Sequence, residues 1–260
     1  MANALSSTEN PVQRLLLNLY RKYKNSLLVT TETVPLSRSY LFMRTGVGIL
    51  AVALPFAVLI GKLILESPPS ILDSLSSSYY SVMRDVFVGN LWAIGIFLIC
   101  YRYDRLDDVV STFAGLFAIL VSLFPTTPDK NATQQQMIIG NVHAFSAMSL
   151  LLILACMSIF LFRRTNQVNR ERRKRQRDAV YLICGYVIFA CIGLSALYLF
   201  VPVLHDASWL KSLHPIFLFE SLAIFSFGTS WFVKGGSLIL KDEQNTNIGT
   251  DPNFKIMTAE

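Results

Sequence analysis

Six stretches of this 260-residue chain are apolar for about as many residues as a bilayer core is thick. A helix rising about 1.5 Å per residue needs roughly 20 such residues to cross a hydrocarbon core of about 30 Å. No other feature limits the fold as strongly, because a backbone in lipid must satisfy its own hydrogen bonds. Only helices and closed barrels do so, and the short alternating segments of a barrel are absent here. Composition agrees: 53% of residues are hydrophobic and only 15% charged, where a soluble domain carries about a quarter charged. The expected fold is all-α, an integral membrane bundle of six transmembrane helices.

In order, the spans are expected at about 46–65, 79–101, 109–124, 137–162, 179–203 and 214–233. Pro55 should bend or loosen the first. The domain reading is a cytoplasmic segment over 1–45, a six-helix domain over 46–233 and a mobile tail over 234–260. Within the first segment, Val12, Leu15, Leu16, Leu19, Tyr23 and Leu27 recur at helical spacing, with Arg14, Arg21, Lys22 and Lys24 off that stripe. Such a helix lies in the membrane interface or packs on the protein's own loops.

The net charge of +6 raises nucleic acid as a partner, but the basic residues flank the spans and no nucleic-acid-binding module is present. Their distribution is that of topology determinants. Arg14, Arg21, Lys22, Lys24, Arg38 and Arg44 precede span one, Arg102 and Arg105 follow span two, a basic run over 163–177 follows span four, and Lys234 and Lys241 follow span six. The other side has Lys130 and Lys211 beyond the snorkelling Lys62. Both termini are therefore expected to be cytoplasmic. Asn131-Ala132-Thr133 forms a glycosylation sequon on the outer side. Cys100, Cys156, Cys184 and Cys191 all fall in apolar spans, which makes them small buried hydrophobes rather than disulfide or thiolate-zinc partners. Gly89, Gly95, Gly115, Gly140, Gly185, Gly193 and Gly228 are expected to permit close helix approach.

Span two carries Arg84 and Asp85, expected about two turns inside its end, where ionisable groups are costly and mark a site or a buried ion pair. Asp85 lies six residues past Tyr79, His143 six past Met137 and Glu220 six past His214, which puts each roughly 9 Å below the outer end of its helix. The expectation is an outward-facing polar pocket lined by Arg84, Asp85, His143 and Glu220, with Tyr80 and His214 at its rim.

Three uses of that pocket are open. Asp85, His143, Glu220 and His214 could hold zinc, whose bound water would make the protein a hydrolase of a lipid or amide, although no HxxxH or HExxH spacing supports it. Arg84 could pair a small polar or lipid ligand through an anionic group, with His143 as a pH-sensitive partner. The same groups could instead tie helices together. Expected partners are membrane lipids, such a ligand, and a second copy or a membrane-complex subunit.

The run Tyr79-Tyr80-x-x-Met83-Arg84-Asp85-Val86-Phe87-Val88-Gly89, with Gly95-x-Phe97-Leu98, Tyr101, Asp104-x-x-Asp107-Asp108 and Phe227-Gly228-x-Ser230-Trp231-x-x-Lys234, resembles an uncharacterised family of small multi-pass membrane proteins. That resemblance covers roughly 76–235 and implies a membrane bundle without implying an activity. The Ser, Asp and His content is faintly similar to the superfamily of alkaline ceramidases and progestin/adiponectin-type receptors, seven-span metal hydrolases. This chain departs from them in having six spans, no paired-His motif in its last helix and no Ser-x-x-x-His motif.

Overall fold

The computed structural model describes residues 42–101, 105–128, 131–164 and 172–235. The expected amphipathic helix over 11–28, Asp104, residues 165–171 of the basic loop and the tail beyond 235 lie outside the described residues. The chain divides into units Met1–Phe42 and Met43–Glu260, and apart from Phe42 the described residues belong to the second. They contain helices and no strand.

Five helices are long and apolar enough to cross a membrane: α1 (Phe42–Leu65), α3 (Arg105–Leu123), α4 (Gln134–Leu161), α5 (Arg172–Phe200, apolar from Ala179 on) and α8 (Pro215–Lys234). This is the architecture of a multi-pass membrane protein. Between the first two lies α2 (Arg84–Cys100), 17 residues long and therefore about 25 Å. Two single-turn helices, α6 (Pro202–His205) and α7 (Ser208–Lys211), link α5 to α8.

Sequence and structure differ most at the second apolar stretch. The expected helix from Tyr79 is interrupted. Ser76–Tyr80 is a 3-10 turn, Ser81 is extended at φ −113° and ψ 174°, and the α-helix begins only at Arg84. The serines explain the break. Ser81 N–H and Oγ–H both donate to Ser78 O, and Met83 N–H donates to the Ser81 hydroxyl. Short hydroxyl side chains offer the backbone this alternative to a helix. Arg84 and Asp85 therefore occupy the first turn of α2, not a level two turns inside it.

Elsewhere the ends have local causes. α4 starts at Gln134, three residues earlier than expected, because Thr133 and Gln136 form a reciprocal capping box. It ends in a π-helical turn, Met157–Leu161, where Ser158 Oγ lies 3.1 Å from Ser230 Oγ of α8. α1 remains helical through Pro55.

The helices form a closed ring. α2 packs on α3, α3 on α4, α4 on α5 and α5 on α8. α1 completes it, touching α8 where a Cβ on Gly228 would lie 3.0 Å from Gly48 O, and α2 where Asn90 Nδ2 donates to Leu50 O at 3.2 Å. α2 and α3 approach closely: a Cβ on Gly115 would lie 2.5 Å from the Gly95 carbonyl oxygen. Gly89 and Gly193 depart from expectation, since a Cβ on either meets open space. Hydrogen bonds at both ends show that the six ring helices alternate in direction. Arg44, Tyr101, Phe162 and Lys234 meet at one end, and residues 73–80, 121–127 and 214–220 at the other.

Candidate functional site

The Glu220 end is organised by the segment between α1 and α2, which folds back onto the bundle. Leu72, Leu75 and Ser78 in it are buried. The first N–H groups of any helical turn have no partner of their own, and Leu75, at the cap of the 3-10 turn, has no side chain to supply one. Glu220 supplies it from α8. Leu75 N–H donates to Glu220 Oε2 at 2.6 Å and Ser76 N–H donates to the same oxygen at 3.3 Å. Ser76 Oγ stands 3.5 Å from Oε1, a weak contact. Carboxylate acceptors of backbone N–H groups form the short, strong class of hydrogen bond, and the amide dipoles oppose the charge.

His143 does the converse for α3. Its Nδ1 lies 2.6 Å from Phe124 O and 3.1 Å from Val121 O, two carbonyls at the end of that helix. Carbonyls only accept, so Nδ1 carries the proton in these contacts. The ring is buried and caps α3 from α4.

The remaining expected site residues lie at the same end but not at the same point. His214, in the left-handed region at φ 48°, has Nδ1 3.0 Å from Asp73 Oδ1, and nearby Phe217 N–H donates to Asp73 O at 3.2 Å. Pro215 follows at the first position of α8, where its missing N–H costs nothing. Tyr80 O–H donates to Thr126 O at 2.6 Å, tying the 3-10 turn to the α3–α4 connection. Arg84 is exposed; its guanidinium donates to the Tyr79 hydroxyl at 3.0 Å and lies 4.6 Å from that ring's centre. Asp85 is also exposed, in the first turn of α2, where the helix dipole favours an acid. The expected convergence of Arg84, Asp85, His143 and Glu220 on one pocket is therefore not the arrangement present. Nor do Asp85, His143, Glu220 and His214 meet, for among the described residues no three His, Cys, Asp or Glu groups are placed to share a metal ion.

Of these residues, Glu220 lines a cleft. It is a partly open cleft with a cavity volume of about 40 Å³ between α1, α2, α3, α4 and α8. Its walls are Leu54, Leu75, Phe87, Leu91, Val121, Ala147, Leu150, Leu151 and Ile224, and its polar groups come from Glu220 and Ser76. An apolar wall with a few placed polar groups is the chemical character of ligand pockets. Ser76, the first residue of the 3-10 turn, is thus also a wall residue. Asp73 was missed, since an acid in a polar loop gives no sign of the histidine 141 positions away that it meets.

No protein family, curated protein or solved structure matches this chain.

Proposed function

We propose that the chain is a six-span membrane protein, both termini cytoplasmic, that holds a lipid-like ligand in the Glu220 cleft. The ligand's apolar chain lies against Leu91, Leu150 and Ile224, and its polar end against Ser76 and Glu220. The observation that carries this reading is the cleft itself, walled by five helices and polar at one edge. Glu220 accepts well from Leu75 and Ser76 through Oε2, while Oε1 has only the long contact to Ser76 Oγ and so retains acceptor capacity.

Charge supports the topology. Among the described residues, Arg44, Arg105, Arg163, Arg164, Lys174, Arg175, Arg177 and Lys234 lie at the Lys234 end, against Lys62, Arg84 and Lys211 at the Glu220 end. That asymmetry makes the Lys234 end cytoplasmic. α2 serves as the sixth span at about 25 Å, with the 3-10 turn covering the remaining depth.

Native mass spectrometry and lipid extraction of the detergent-purified protein test the reading. The wild type should carry an amphiphile that Ala147→Phe, which fills the cleft, excludes while the variant remains folded. Identical lipid content in both would sink the proposal.

A further inference from the structure

The cleft beside Glu220 carries one sign of charge, which narrows what its ligand can be. Glu220 is the one ionisable group among the residues that line it. Basic side chains are present at this end of the bundle, but each has its partner elsewhere. Lys62 pairs with Glu66 at 3.5 Å, Lys211 pairs with Asp206 at 3.7 Å, and the Arg84 guanidinium donates to the Tyr79 hydroxyl at 3.0 Å. The imidazoles are engaged too. His214 lies 3.0 Å from Asp73, His205 lies 3.4 Å from Asp206, and His143 donates to the carbonyls that end α3. Among the described residues, none of these groups pairs with the Glu220 carboxylate.

The contacts that the carboxylate does make leave it incompletely matched. Leu75 N–H and Ser76 N–H both fall on Oε2, and each brings only a partial positive charge. Oε1 has the 3.5 Å contact to Ser76 Oγ, and apart from Ser76 the rest of the lining is apolar. A carboxylate in such surroundings is best stabilised by a full opposite charge that also donates hydrogen bonds. An anionic head would be repelled, with no cation in the cleft to hold it. A neutral hydroxyl could donate to Oε1 but would leave the charge unopposed. Space narrows the choice further: the cavity holds about 40 Å³, where one water needs at least about 10–15 Å³. Such a space takes a compact head and not a bulky one.

We propose that the head group taken by this cleft is a primary ammonium on an alkyl chain. The inference rests on the reading that the cleft holds a lipid-like ligand. The ammonium donates to Glu220 Oε1 and to Ser76 Oγ, and the chain lies against Leu91, Leu150 and Ile224. The uncompensated carboxylate thereby selects cationic amphiphiles and rejects fatty acids, whose own carboxylate would have nothing in the cleft to pair with. A trimethylated head keeps the charge but has no N–H to donate and takes more room.

The test uses the full-length protein in a non-ionic detergent near neutral pH, where an alkyl amine is protonated. Dodecylamine, dodecan-1-ol, dodecanoate and dodecyltrimethylammonium are titrated by native mass spectrometry. Dodecylamine should bind at least about tenfold more tightly than each of the other three. Glu220→Gln keeps an acceptor for Leu75 N–H and removes the charge. It should weaken dodecylamine about tenfold and leave dodecan-1-ol within about twofold. Ser76→Ala should weaken dodecylamine about threefold, and Ala147→Phe should abolish its binding. Melting curves establish that each variant is folded. If dodecylamine shows no preference, yet every compound is lost in Ala147→Phe, the cleft holds an amphiphile and the ammonium assignment alone is wrong. An amine preference that survives Glu220→Gln refutes that assignment as well. If Ala147→Phe leaves the binding of every compound unchanged, the cleft reading fails, and this inference with it.

Discussion

Glu220→Ala is the most informative single change in this protein. It removes the acceptor of Leu75 N–H and Ser76 N–H, and both residues are nearly buried, at 4% and 8% exposed, so water cannot readily take its place. Each stranded donor costs about 1–3 kcal/mol, which makes the loss about 4 kcal/mol for the pair. The 3.5 Å contact with Ser76 Oγ adds little. At about 2–4 °C per kcal/mol for a chain near this size, the melting temperature in detergent should fall by on the order of 10 °C. Glu220→Gln separates hydrogen bonding from charge. Its amide oxygen can still accept from Leu75 N–H and its NH2 can donate to Ser76 Oγ, so its loss should be about 1–2 kcal/mol. Hydrogen exchange supplies the local readout. In Glu220→Ala the amides of Leu75 and Ser76 should lose protection by on the order of a hundredfold, while those in the middle of α5 change far less. Unchanged protection at Leu75 and Ser76 would falsify the assignment of Glu220 as the cap of this segment.

Other variants probe the remaining links. His143→Ala strands two carbonyls at the end of α3 and should cost about 1–3 kcal/mol in thermal unfolding, with His143→Gln recovering part of it through its NH2. Gly115→Ala forces α2 and α3 apart at Gly95 O and should cost about 1–3 kcal/mol, whereas Gly193→Ala, which meets open space, should be neutral or stabilising by up to about 1 kcal/mol; similar melting temperatures for the two would refute the packing argument. For the topology, single cysteines at Ser212 and Arg175 in a background lacking the four native cysteines are treated with a membrane-impermeant maleimide on intact cells. Ser212→Cys should be labelled and Arg175→Cys protected, and the reverse pattern would invert the proposed orientation.

The helices were legible in the sequence because their cause is local. An apolar run of 20 residues has few alternatives in a membrane, and the run from Gly46 and that from Pro215 end close to where their apolar residues end. The start of α4 was also within reach, since Thr133 and Gln136 stand at capping-box spacing. The levelling of His143 and Glu220 at one end was legible too, from counting residues into each span. Their work was not. Periodicity shows that a polar group is buried but does not identify its partner, and here the partners lie 19 to 145 positions away.

The same limit produced the error at Arg84 and Asp85. Their apolar surroundings read as one continuous span, while the Ser81 hydroxyl bonded the local backbone and moved the helix start past Tyr80. The sequence by itself determined that the chain forms long apolar helices with basic residues clustered at one end, because hydrophobic burial and helix propagation act over neighbouring residues. Only the tertiary structure decided that Glu220 caps the 3-10 turn, that His143 caps α3, and that a cleft opens beside Glu220. Those outcomes depend on which helix ends packing leaves unsatisfied, and on which polar side chain from another helix comes within hydrogen-bond reach of them.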